Sequence, residues 1–158
     1  MLEILQVIII LSSLPLGLIL KKISKEEPKQ YKKALFYAEK AVLLILILSL
    51  LSLNFNYYMI IGFVIGYLLI FNIQFYLGLS LFLSFLTTKN FNFLISSLIF
   101  IFNLIYARNI HRNKILTYSV YFLIPFILFF LKTTLTTNIS LFLSFTAGGL
   151  FKYFVKFK

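Results

Sequence analysis

Charge in this chain is concentrated in one stretch, and long apolar runs flank it. Residues 21–40, KKISKEEPKQYKKALFYAEK, hold seven of the fifteen Lys and Arg residues and three of the four acidic ones. The whole chain is 61% hydrophobic, with a mean hydropathy of +1.01. A water-soluble domain needs more polar residues to cover its surface than this composition supplies. The bilayer is therefore the expected solvent, and residues 21–40 are expected in water or among lipid headgroups.

The apolar runs predict an all-α fold, a polytopic transmembrane helix bundle. The first run, residues 2–20, would be about 28 Å long as a helix, close to the roughly 30 Å of a hydrocarbon core. No Lys or Arg precedes it and the lysines follow it, so it predicts an anchor with its N-terminus outside rather than a signal peptide. Pro28 fits the first turn of a second helix, which begins in the cytoplasm and enters the bilayer over residues 41–53.

Residues 57–85 fit either one overlong helix or two short helices joined by a turn at Asn72. With the turn, thirteen of the fifteen basic residues share one side, and only Lys89 and Lys132 lie opposite. The positive-inside rule favours that arrangement. With further spans at residues 93–107, 115–131 and 139–151, the sequence predicts six or seven short helices in a single integral membrane domain, residues 1–158. Its C-terminus is expected in the cytoplasm, and residues 21–40 form the cytoplasmic lysine-rich loop and helix start.

Small residues mark the expected helix contacts. A GxxxG motif at residues 62–66 lets another helix approach closely, and packing within the same chain is preferred over a dimer. The sequence SLFLSF at residues 80–85 recurs at residues 140–145, either by chance, which is preferred, or as an inverted repeat of the kind that transporters use. The serines are expected to bond across helices or back to the preceding turn. The candidate helix-packing residues are Gly62, Gly66, Ser80, Ser84, Ser140 and Ser144.

Catalytic and metal-binding equipment is sparse. The chain has no Cys, and its four acidic residues are all Glu. His111 stands alone in a basic loop, which favours a headgroup-facing residue over a metal ligand. Glu26 and Glu27 sit among lysines, where carboxylates favour the positive end of a helix dipole, so they are not expected to act as an acid–base pair. No catalytic residue, metal site or cofactor is predicted.

Few polar groups are expected at membrane depth. Glu3 and Glu39 lie near opposite ends of the apolar runs, where each is expected to reach water. Asn72 and Gln74 are placed at the turn. Asn103 lies within an apolar run, and we expect it to pair with a neighbouring helix rather than bind a ligand.

The net charge of +11 is carried by short loops between apolar runs rather than by one soluble face. This distribution favours anionic lipid headgroups at the cytoplasmic face over nucleic acid as the partner. The candidate lipid or partner contacts are Lys21, Lys22, Lys25, Lys29, Lys32 and Lys33. The favoured function is an accessory or structural subunit of a complex in the cell membrane, with other membrane subunits as partners. A small transporter or channel is the alternative, and a lipid-acting enzyme is the least favoured.

The start of the chain carries one resemblance. LPLG at residues 14–17, ISKEE at residues 23–27 and Tyr31 resemble the opening of small archaeal multi-pass membrane proteins of unassigned function. In that pattern a Pro-x-Gly helix end leads to a hydroxyl-x-Glu-Glu loop and a basic-aromatic helix start. Pro28, directly after the glutamates, departs from it. The resemblance covers about forty residues and implies a membrane location and the helical fold class, with no catalytic residue or ligand.

Overall fold

The computed structural model describes residues 2–23, 29–52, 56–110 and 112–156, and every regular element in these ranges is helical, as predicted. Three short 3-10 segments occupy Ala107–Asn109, Arg112–Lys114 and Ile124–Leu131. The α-helices are α1 (Leu2–Ile23), α2 (Lys29–Leu51), α3 (Tyr57–Leu68), α4 (Ile73–Ser84), α5 (Lys89–Tyr106), α6 (Ile115–Leu123), α7 (Lys132–Thr137) and α8 (Ile139–Lys156).

Three of these helices are long and apolar enough to cross a membrane, judged by length and composition. The spans are Glu3–Lys22 in α1, Tyr31–Leu51 in α2 and Lys89–Tyr106 in α5. Three further apolar segments are shorter: Tyr57–Leu68, Ile73–Ser84 and Ile115–Leu128. Large apolar side chains such as those of Ile8, Leu48 and Leu68 remain exposed on the outside of the bundle. The fold therefore presents an apolar exterior as well as an apolar core.

The segment from residue 57 to residue 85 forms two short helices rather than one long helix. Helix α3 ends at Leu68 and α4 begins at Ile73. The Asn72 side chain caps α4 by accepting a hydrogen bond of 3.0 Å from the backbone nitrogen of Gln74. An Asn oxygen that satisfies a free amide at a helix start is a strong local signal for a new helix.

Helix α4 lies at the centre of the bundle. Eleven of its twelve residues are buried, and it packs against α5, α6 and α8. It runs antiparallel to α5, since Gln74 pairs with Asn103 at one end and Ser84 with Asn92 at the other. A short helix enclosed in this way keeps its backbone ends away from the surroundings of the bundle.

One end of the bundle, which we call the basic end, holds most of the Lys and Arg side chains that the structure describes. Here an Arg108 nitrogen donates to the Lys32 carbonyl at 3.4 Å, and Lys152 Nζ donates to the Leu68 carbonyl at 3.1 Å. The ammonium of Lys40 lies 6.0 Å from the centre of the Phe154 ring. These contacts bring the start of α2 and the ends of α3, α5 and α8 together. Lys89 begins α5 and therefore lies at the opposite end.

Candidate functional site

The glycines of the GxxxG motif lie on the face of α3 that contacts α8. A Cβ atom added to Gly66 would overlap the Phe145 carbonyl, and one added to Gly62 would overlap the Leu141 carbonyl. The contact is reciprocal, because a Cβ on Gly148 of α8 would overlap the Phe63 carbonyl of α3. The two backbones therefore touch directly, and the small residues of both helices face the same contact.

The serines of the two SLFLSF sequences do not form one site. Ser80, Ser84 and Ser144 each donate to the carbonyl three residues earlier, at 2.7 to 2.9 Å. The two sequences face different neighbours: Ser84 shares its hydroxyl proton with Asn92 Oδ1 of α5 at 3.1 Å, whereas Ser144 lies against Gly62 of α3. Ser140 is half-buried at the start of α8.

A buried amide pair joins α4 to α5 near the basic end. Gln74 Nε2 donates to Asn103 Oδ1 at 3.0 Å, and both residues are fully buried. Asn103 thus pairs with a neighbouring helix, as the sequence predicted. Within the described part of the chain, Gln74 Oε1 and Asn103 Nδ2 have no hydrogen-bond partner. Each amide therefore keeps one polar atom inside the bundle without a hydrogen bond. Buried polar atoms of this kind are uncommon, which makes the pair a candidate functional site.

A buried carboxylate, that of Glu39, lies on α2. It is only 1% exposed, because α2 packs there against α5 and α8, so the expectation that it reaches water is wrong. Glu39 lies within electrostatic reach of Tyr106, one turn beyond Asn103 on α5. Tyr106 in turn contacts Tyr118 of α6 edge to face, with ring centres 6.2 Å apart. We call Glu39, Gln74, Asn103, Tyr106 and Tyr118 the inner polar cluster.

Two further tyrosines hold the link between α3 and α4 beside this cluster. The one hydroxyl proton of Tyr76 is shared between the carbonyls of Gly66 and Leu69, at 3.2 and 3.1 Å, and Tyr153 of α8 donates to the Phe71 carbonyl at 2.5 Å. These bonds satisfy backbone oxygens that a break between two helices leaves without partners. The link is therefore fixed to both α4 and α8.

A second polar network lies at the opposite end of α4 and α5. Asn92 Oδ1 accepts from Ser84 and from Ser96, each at 3.1 Å, and Asn92 Nδ2 donates to Gln6 Oε1 of α1 at 3.2 Å. This network was not predicted from the sequence. The spacing of Asn92 and Ser96, one helical turn apart in an apolar segment, is the signal that would have indicated it.

An apolar layer separates the two polar networks. Leu77 and Leu81 of α4 and Ile95 and Ile99 of α5 lie between them along the same helix pair, and all four are fully buried in one core cluster. Because α4 and α5 are antiparallel, these residues occupy the middle of their contact. These buried apolar side chains leave no continuous line of polar groups along the α4–α5 contact between the inner polar cluster and the Asn92 network.

The lysines that were predicted to contact lipid or a partner lie at the basic end wherever the structure describes them. Lys21 and Lys22 are exposed at the end of α1, and Lys32 and Lys33 are exposed near the start of α2. Lys25 and the side chain of Lys29 lie outside the described part of the chain, as do Glu26, Glu27 and His111. Within residues 2–23, 29–52, 56–110 and 112–156, no three His, Asp or Glu side chains are grouped to hold a metal ion.

Comparison with known proteins adds no relative. No protein-family model, no curated protein and no solved structure matches the chain.

Proposed function

We propose that the chain is a polytopic protein of the cell membrane with seven crossing segments. Its N-terminus would be outside and its basic end in the cytoplasm, following the positive-inside rule. Three helices of spanning length and the apolar exterior support a membrane location. The other four segments would be α3, α4, α6 with its 3-10 extension, and α8. Twelve residues of helix extend only about 18 Å, so α3 and α4 require local thinning of the bilayer or shelter by neighbouring helices.

The function that we propose is that of an accessory or structural subunit of a membrane complex. The observation that supports it best is the closed packing: α3 and α8 touch through their backbones, and an apolar layer separates the two polar networks. A bundle packed in this way is suited to presenting a fixed outer surface. Buried amides such as Gln74 and Asn103 then serve to fix the register of α4 on α5.

The experiment is purification of the tagged native chain in a mild detergent, followed by mass determination of the eluted particle. The proposal expects a stoichiometric second membrane protein. Replacing Lys32 and Lys33 by Glu should reduce its recovery if the basic end forms the contact, and Lys89→Glu, at the opposite end, is the matched control. A chain that always elutes alone contradicts the proposal.

A small transporter or channel is the second candidate. The buried carboxylate of Glu39 favours it, since ionisable groups at membrane depth often mark a transport path. The chain has no Cys, so single cysteines can be introduced without background labelling. Cysteine replacing each of the four serines can be tested with a water-soluble maleimide: Ser80, Ser84, Ser140 and Ser144. Absence of labelling in the folded protein counts against a water-filled path.

A lipid-acting enzyme is the least favoured of the three functions. It would need to use Glu26, Glu27 or His111 at the cytoplasmic face, and alanine at all three positions without loss of phenotype would dispose of it. Membership of the small archaeal multi-pass proteins stays a prediction from the first forty residues.

A further inference from the structure

An open cleft lies on the outside of the bundle between α1 and the start of α6. Its volume is about 330 Å³, and it is lined by Pro15, Leu18, Ile19, Lys22 and Ile115. From Pro15 to Lys22 it follows α1 for about 10 Å. The cleft is thus apolar along its length, and one end carries an ammonium group.

The walls of the cleft are fixed by packing behind them. Gly17 lies against the Leu104 carbonyl of α5 and against Ala107, the first residue of the 3-10 segment that follows α5, so the opposite face of α1 points outward. Leu14 and Ala107 are buried in a small core cluster on which Tyr118 of α6 packs. Both helices that line the cleft therefore pack on this cluster just beyond the end of α5, and the cleft is part of the folded bundle.

The charge around the cleft is positive. Lys21 and Lys22 are exposed at the end of α1, and Lys114 is exposed directly before Ile115. The described carboxylates are remote from it or enclosed: Glu3 lies at the far end of α1, and Glu39 is 1% exposed. The cleft therefore has a lysine at its α1 wall and another directly before its α6 wall, and a negative charge at Lys22 is favoured.

We propose that this cleft binds one anionic phospholipid, with an acyl chain along Pro15, Ile19 and Ile115 and the phosphate at Lys22. The inference rests on the membrane insertion proposed above, with the basic end at headgroup level, but not on any role as a subunit. Basic pockets between helices on the cytoplasmic side are where anionic headgroups bind. A zwitterionic lipid offers the same chains without the net charge, so the site selects by charge at Lys22.

The test is native mass spectrometry of the full chain in micelles containing equal amounts of phosphatidylglycerol and phosphatidylcholine with identical chains. The wild type should retain one phosphatidylglycerol in preference to phosphatidylcholine, and Lys22→Ala should lower that preference about five-fold, as expected for one lysine near a headgroup. Lys89→Ala is the control that leaves the preference unchanged. Equal retention of the two lipids by the wild type, or an unchanged preference in Lys22→Ala, overturns the proposal.

A second pair of variants tests the apolar part of the cleft. Ile19→Trp fills the cleft and should abolish retention of both lipids, whereas Ile8→Trp, at another exposed position of α1, should not. Excess inorganic phosphate should leave the lipid adduct in place; its loss would indicate a phosphate site without a chain site and overturn the proposal. Vesicle flotation tests membrane insertion separately from the lipid site. A chain that inserts without lipid preference refutes the cleft alone, and one that does not insert refutes the membrane location.

Discussion

Gln74 on α4 and Asn103 on α5 share one hydrogen bond of 3.0 Å between side chains that are both fully buried. The pair lies at the end of α4 where the chain has just turned, so it fixes the start of the central helix to the end of its antiparallel neighbour. An amide placed among apolar side chains must find a polar partner, and here each amide is the partner of the other.

The first prediction concerns this pair. Gln74→Leu or Asn103→Leu alone should destabilise the bundle, because each leaves the other amide buried without its bond. The coupling between the two sites should be about 0.6 kcal/mol, the average for side-chain hydrogen bonds between membrane helices. SDS-induced unfolding of the single and double variants in mixed micelles measures it. If the two single substitutions had purely additive effects on the free energy of unfolding, the Gln74–Asn103 hydrogen bond would be contradicted.

The second prediction concerns the contact of α3 with α8. Gly66→Ala adds a methyl group that would overlap the Phe145 carbonyl, so the helices must separate. Overpacking of this kind should lower the free energy of unfolding by about 1–3 kcal/mol. Ile65→Ala changes the neighbouring, exposed position and is the control with a small effect. The same unfolding assay measures both variants, and a neutral Gly66→Ala would show that the two backbones do not touch there.

The third prediction concerns the network at the opposite end of α4 and α5. Asn92→Ala removes the acceptor of Ser84 and Ser96 and the donor to Gln6, so it should cost about 1–2 kcal/mol of stability. Asn90→Ala is a matched control, since Asn90 is exposed on the same helix. Thermal unfolding in detergent, followed by circular dichroism, measures the difference. Equal effects of the two substitutions would argue against the network.

The fourth prediction concerns orientation. Helix α8 ends at the basic end, so a C-terminal tag should emerge on the same side of the membrane as residues 21–40. A fluorescent reporter fused after Lys158 should be active in the cytoplasm, and a phosphatase reporter that needs export should be inactive. The opposite pattern of reporter activity would refute the proposed threading.

Several features of the fold follow from local sequence. Asn72 offers a side-chain oxygen to a free backbone amide, so the end of one helix and the start of the next can be recognised without tertiary structure. Asn103 within an apolar helix requires a polar partner, but the sequence does not predict that this partner is Gln74. Glu39 shows the limit of this reasoning. Its position near a lysine-rich loop indicated contact with water, but whether a side chain is covered depends on which helices pack over it.

The sequence by itself favoured the bilayer as solvent and determined the element type, because a long apolar run has to satisfy its backbone hydrogen bonds internally and a helix does so within each run. It also determined that positive charge is confined to a few segments. The tertiary structure alone decided which helices are neighbours: that Gly66 meets Phe145, that Asn92 joins Gln6 to Ser84, and that α4 lies at the centre. Apolar side chains attract without direction, so partner choice depends on close backbone approach and on the few polar groups that must meet.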